Sequence, residues 1–208
     1  MPTYLLTILS FIVVTPSSVK PLQSPIKPYS IRSVDFDNFT YPLPSGFIDR
    51  NNPRRTFRLK NGEHPETPDE MGIFLSSVSY GDVTGDGKEE AIVTMSIVTG
   101  GSALPNIVYI YTLKGSKPRL LWAFDTGDRA DGGLRRVKAE NGYLLVELYG
   151  NGKILGKDLG AEDKTNRGAC CPTFFTRARY KWTGNAFRLA SKPKVLPNPT
   201  QNASSIKD

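Results

Sequence analysis

A chain of 208 residues, 38% hydrophobic and 10% aromatic, holds enough apolar material for one core with tails. Its 19 Gly and 16 Pro imply many turns, and no sustained i, i+3, i+4, i+7 apolar stripe occurs, which excludes a helical protein. The formal charge of +7 suits anionic envelope polymers, lipids or nucleic acid as partners, or simply a solvated surface; no groove-reading motif accompanies it, so specific nucleic-acid recognition is not expected.

The first segment, "MPTYLLTILSFIVVTPSSVKP", carries no charge before Lys20. Its apolar run, Tyr4 to Val14, is too short to span a bilayer as a helix, so no transmembrane anchor is expected. The run has the length of a secretory h-region with small residues after it, although no Lys or Arg precedes it, and the other reading is a buried strand. The signal reading places residues 1–18 as a cleaved leader and the mature protein outside the cytoplasm, secreted or in the envelope. No Cys follows the run to carry a lipid. Residues 19–33 then read as a Pro-rich linker, 34–190 as a single β-rich domain, and 191–208 as a polar, Pro-rich disordered tail.

Within the domain, "RNNPRRTFRLK" brings Arg50, Arg54, Arg55, Arg58 and Lys60 together, and His64 follows in a polar loop. Strand signals begin at 74–80, where Phe74, Val78 and Tyr80 share a face. In 91–98, Ala91, Val93, Met95 and Ile97 share one, whereas 106–113 is apolar on both faces, as a central strand requires. Segments 118–124 and 143–149 follow, with "ENG" as a turn between strands. The cleanest alternation is "FFTRARYKW", 174–182, with Phe174, Ala178, Tyr180 and Trp182 on one side and Arg177, Arg179 and Lys181 on the other. "TGN" turns it into a hairpin with "AFRL". The predicted fold is all-β: an antiparallel meander of seven or eight short strands, arranged as a sandwich, a barrel or an open propeller-like sheet.

Between the first two long strands lies "DVTGDGKEE", 82–90. Calcium takes six to eight oxygens, and a short loop can wrap it when alternate residues point inward. The ligands by spacing are Asp82, Thr84, Asp86, the Lys88 carbonyl and Glu90, with Gly85 and Gly87 permitting the sharp turn. An EF-hand is excluded, because its twelfth position needs a bidentate Glu and here holds Val93. The loop resembles the strand–loop–strand calcium repeats of integrin-like FG-GAP proteins, with Thr84 where that pattern has Asp or Asn. The bland reading is an Asp-Gly turn with solvated acids. Zinc is not expected, since the chain has one His and two Cys.

Cys170 and Cys171 are neighbours, so within one chain they pair only with each other. An oxidising compartment favours that vicinal disulfide; a reducing one leaves two small buried thiols. Acids at Asp125, Asp128 and Asp131 sit in a Gly-rich connection, where Asp commonly forms turns. No catalytic constellation emerges, and the chain is read as a non-enzyme. The rival reading is a carboxylate-based hydrolase of an envelope polymer using those acids. Another is a basic module that holds an anionic polymer through Arg177, Arg179 and Lys181.

Taken in order, "YGDVTGDGKEEAIV", "TGGSALPN", "LLWAFDTGDRADGG" and "CCPTFFTRARYKWTGNAFRL" resemble the LppP/LprE-type bacterial envelope lipoproteins across 77–189. The resemblance implies a place, the bacterial envelope, and no particular reaction. Lacking the lipidation Cys, this chain departs from it in membrane anchoring. The combined expectation is a secreted bacterial binding or scaffold module with a structural calcium loop.

Overall fold

The computed structural model describes residues 29–44, 55–67, 71–98, 101, 104–128, 132–150, 153–154, 157–158 and 172–199. Two single-turn 3-10 helices, Ile31–Ser33 and Phe36–Asn38, lead into β1 (Thr40–Pro42) and β2 (Thr56–Arg58), an antiparallel pair. The first sheet contains β3 (Glu63–His64), β4 (Gly72–Gly81), β5 (Glu90–Val98), β6 (Asn106–Lys114) and β7 (Lys117–Asp125), in that order. β8 (Leu134–Glu140) and β9 (Tyr143–Tyr149) begin the second sheet, and a small ribbon of β10 (Lys153–Ile154) and β11 (Lys157–Asp158) follows. β12 (Phe174–Trp182) pairs β9 along one edge; β13 (Phe187–Leu189) and β14 (Lys194–Pro197) share its other edge. All of these strand pairings are antiparallel, and neither large sheet closes on itself. The protein is an all-β sandwich, not a barrel.

The alternation of the sequence explains the layers. On β5 and β6, Ala91, Val93, Met95, Ile97, Ile107, Tyr109 and Tyr111 point to one core; Ile92, Val108 and Ile110 point to the other. The first sheet is therefore buried on both faces, as the apolar run at 106–113 requires. One face is capped by the N-terminal layer through Ile31, Phe36, Tyr41, Phe57 and Leu59. Buried Tyr41 and Tyr109 donate their hydroxyls to the carbonyls of Phe36 and Pro42, each at 2.7 Å, so neither phenol is left unsatisfied. The other face meets the second sheet, where Leu144, Val146, Leu148, Ala178 and Tyr180 complete the core.

Three expectations change. On β4 a bulge between Leu75 and Ser77 shifts the register, so Leu75, Val78 and Tyr80 pack against the capped core while Phe74 is exposed. The additional strands are mostly pieces of two to four residues, too short to leave a period in the sequence. The fold also passes both predicted boundaries: Ile31 is 3% exposed inside the capped core, and β14 pairs Phe174–Arg177 within the segment read as a tail. Pro residues at 193, 197 and 199 suit that position, because β14 is an edge strand, where a missing N–H is tolerated. Residues 1–28, with the predicted leader, lie outside the described residues, and no helix among the described residues is long and apolar enough to cross a membrane.

Candidate functional site

The loop joining β4 to β5 is organised by its own first acid. Asp82 accepts N–H groups from Thr84 (3.1 Å) and Gly85 (2.6 Å) on one oxygen and from Gly87 (2.9 Å) on the other. Gly85 and Gly87 hold positive φ, 79° and 81°, which lets the chain curl round that carboxylate. Asp86 caps the Lys88 N–H at 2.9 Å and stays half exposed. Glu89 leaves the loop and pairs with Arg32 of the N-terminal layer at 2.6 and 2.7 Å, both side chains exposed.

Glu90 does something the spacing did not reveal. It shares the face of Ile92 and Ile110 and is fully buried, 0% exposed. The Val83 N–H at 3.1 Å and the Thr112 hydroxyl at 3.0 Å donate to its two oxygens, and no basic side chain among the described residues pairs with it. Desolvation pushes its pKa above the ordinary carboxylate range; those two hydrogen bonds oppose the shift, and the charges of Asp86 and Asp82 add to it. Nearby, the Thr84 hydroxyl is buried without a hydrogen-bond partner. The donor set thus has the right chemistry for a hard cation: three carboxylates, one of them buried without a counter-charge among the described residues, and an orphaned hydroxyl. Its arrangement is incomplete, because among the described residues no three His, Cys, Asp or Glu side chains gather as a metal requires. Asp86, the exposed one, is held by the Lys88 N–H and lies 3.7 Å from the Lys88 ammonium.

A second constellation lies on the outer face of the second sheet. Glu147, also 0% exposed, sits mid-strand on β9 between Arg136 on β8 and Arg177 on β12 in the ladder. Arg177 meets Oε1 through Nε (2.7 Å) and Nη2 (2.6 Å); Arg135 bonds Oε2, and Arg136 stands 3.7 Å from it. Arg135 also lies 4.0 Å over the Phe175 ring, and Arg179 lies 4.5 Å over Tyr143. Sequence alternation had placed Arg177, Arg179 and Lys181 together but missed Glu147, Arg135 and Arg136. The available signal was one acid inside the apolar run "YLLVELY", since a buried acid needs partners.

The remaining candidates do not assemble. Asp125 ends β7, exposed, and Asp128 lies in an isolated bridge to Gly132; Asp131, Cys170 and Cys171 fall outside the described residues. An open recess of ≈ 390 Å³ at the β3–β4 edge brings Asp37, Glu63, His64 and Glu66 to its wall. His64 there sits in a strand, its Nδ1 3.3 Å from the Arg58 carbonyl, instead of in the loop expected.

The two constellations are joined. Gly142, in the Asn141–Gly142 turn between β8 and β9, packs on Gly85 so closely that a Cβ on Gly142 would stand 3.2 Å from the Gly85 Cα. No protein-family model matches this chain, and no curated protein or solved structure does either.

Proposed function

We propose that the chain is a bacterial binding or scaffold module of the cell envelope or extracellular space, whose 82–90 loop is braced by calcium. The observation that carries the calcium reading is Glu90: a fully buried carboxylate with no basic partner among the described residues, beside an orphaned Thr84 hydroxyl and two further acids. A divalent cation would offset that buried charge, as no group among the described residues does. In this reading Asp82, Thr84, Asp86, the Lys88 carbonyl and Glu90 hold the ion, and its chemistry is structural. The apolar first segment and the likeness to envelope lipoproteins support the compartment, where Cys170 and Cys171 close a vicinal disulfide.

Calorimetric titration of calcium into the protein, with melting curves in calcium and in chelator, tests the reading. Saturable heat and a raised Tm are expected, both lost in Asp86→Asn; at a hundredfold excess over Kd the gain is about 2.7 kcal/mol. No heat and no shift reduce the loop to a polar turn and withdraw calcium. Intact mass after oxidising expression is expected two hydrogens short of the dithiol form; alkylation of both Cys170 and Cys171 removes the vicinal bond.

A further inference from the structure

We propose that the outer face of the second sheet is a binding surface for a linear phosphate-bearing polymer. The surface is distinct from the loop. It is built by register. β8 contributes Arg135, Arg136 and Lys138; β12 contributes Arg177, Arg179 and Lys181. The flanking strands add Arg188, paired with Lys181, and Lys194, paired with Arg177. Against these eight cations the face sets two acids, Glu140 and Glu147.

The placement carries a cost that a polyanion removes. Lys181 with Arg188, and Arg177 with Lys194, are like charges directly opposite across a strand pair, an arrangement that destabilises a sheet. Lys181, Arg188 and Lys194 are exposed, and no acid among the described residues lies within ion-pair distance of them. Successive same-face positions on β12 stand about 7 Å apart, so Arg177, Arg179 and Lys181 form a row of roughly 14 Å, with further cations about 4.8 Å to the side. An extended chain bearing one charge per repeat matches such a row. Phosphate oxygens spread out of one plane and can bridge cations on neighbouring strands, whereas the two oxygens of a carboxylate are coplanar and suit the flat guanidinium fork.

Glu147 acts as the positioning residue. It occupies Nε and Nη2 of Arg177 and leaves Nη1 for a ligand, while Arg135 is fixed between Glu147 and the Phe175 ring. Pre-ordered arginines lose less rotamer freedom on binding. Two other polyanionic partners fit less well. Arg135 and Arg179 already lie over Phe175 and Tyr143, so those rings are not open for stacking nucleic-acid bases. The exposed Leu189 and Val195 pair with Tyr180 and Thr176 and so belong to the opposite face, leaving the cationic face, among the described residues, without a large exposed apolar side chain to enter lipid.

The test is binding of long-chain inorganic polyphosphate to the full chain by calorimetry in chelator, which keeps the result independent of the loop's calcium. Saturable binding is expected, falling steeply as salt rises. Lys181→Glu with Arg188→Glu alters only exposed side chains and is expected to weaken binding at least tenfold with the Tm retained. Lys114→Glu with Lys117→Glu, likewise two exposed cations paired across strands but on the other sheet, serves as the charge-matched control and is expected to leave binding unchanged. Absence of saturable binding, or equal binding by the double variant, overturns the proposal. Equal affinity for polyglutamate, a single-stranded oligonucleotide or anionic vesicles overturns the phosphate assignment.

Discussion

Glu90 and Glu147 are both 0% exposed, one in each sheet, yet they are compensated in opposite ways. Glu90 receives two neutral donors, and burial drives it towards its protonated form. Glu147 receives three guanidiniums, more positive charge than it can cancel. In the calcium reading the loop is short of a cation, and in the polyanion proposal the outer sheet face has cations to spare. A buried acid is the focus of both proposals, and the sign of what surrounds it decides which kind of ligand each proposal names.

The largest effect expected from breaking this comparison comes from Glu147→Leu. Removing the shared acid leaves Arg135, largely buried, facing Arg136 and Arg177 without a counter-charge. Denaturant unfolding is expected to show a loss of about 3–5 kcal/mol, the range for uncoupling a buried ion pair. A loss near zero would mean that the arginines swing out to water, which removes the pre-ordering assigned to Glu147.

Glu90→Gln is expected to behave in the reverse sense. The amide carbonyl can take the Val83 N–H and its NH₂ can donate to the Thr112 hydroxyl, so metal-free stability is expected to hold or rise slightly at neutral pH. The calcium response is expected to vanish. The pH dependence follows from the raised pKa: Glu90's favourable contribution is whole below its ordinary range and is lost as pH rises through its higher folded value. Calcium selects the ionised form, so its stabilisation is expected to grow with pH across that same window. Melting curves with and without calcium at several pH values check both trends, and a calcium gain independent of pH would take Glu90 out of the ligand set.

These two acids also show how far the sequence could be read. Strands β9 and β12 occupy the predicted residues, 143–149 and 174–182, the latter read from its alternation, and β4 to β7 fall within two residues of theirs. β8 was missed because "LRRVKAE" sets two arginines side by side across a bulge between Leu134 and Arg136, which breaks the period. Counting along the loop put Glu90 at a ligand position, but its burial depends on Ile92 and Ile110 sharing its face. Glu147 could be flagged as an acid in an apolar run. Its partners could not be named, since Arg177 is thirty residues away and only the register brings it opposite. Periodicity is a local signal, whereas cross-strand compensation of charge is not.

The joint between the two regions gives a smaller effect. Gly142 holds φ 74° against Gly85, while Gly184 holds φ 94° with nothing within 4 Å of its absent Cβ. Both Gly→Ala changes carry the left-handed backbone cost, roughly 1–2 kcal/mol. Gly142→Ala alone also pushes the loop backbone away, so only it is expected to weaken calcium binding. Equal calcium affinity in the two variants would show that the loop does not lean on the second sheet.

The smallest effect is expected at Arg32. Its bidentate pair with Glu89 has good distances, and its guanidinium lies 4.6 Å over the Tyr80 ring, yet both charged side chains are exposed. The hydrogen bond from Arg32 lowers the Glu89 pKa, but at a fully solvated site such a pair contributes little to folding and less as salt rises. Arg32→Ala is expected to leave the Tm within a degree or two in calcium and in chelator alike. A large drop confined to the chelator condition would mean that the N-terminal layer, through Glu89, holds the loop in shape when the cation is absent. The loop would then have a second support beside the cation, and the contrast with Glu147 would narrow to a difference in how each region is held in shape.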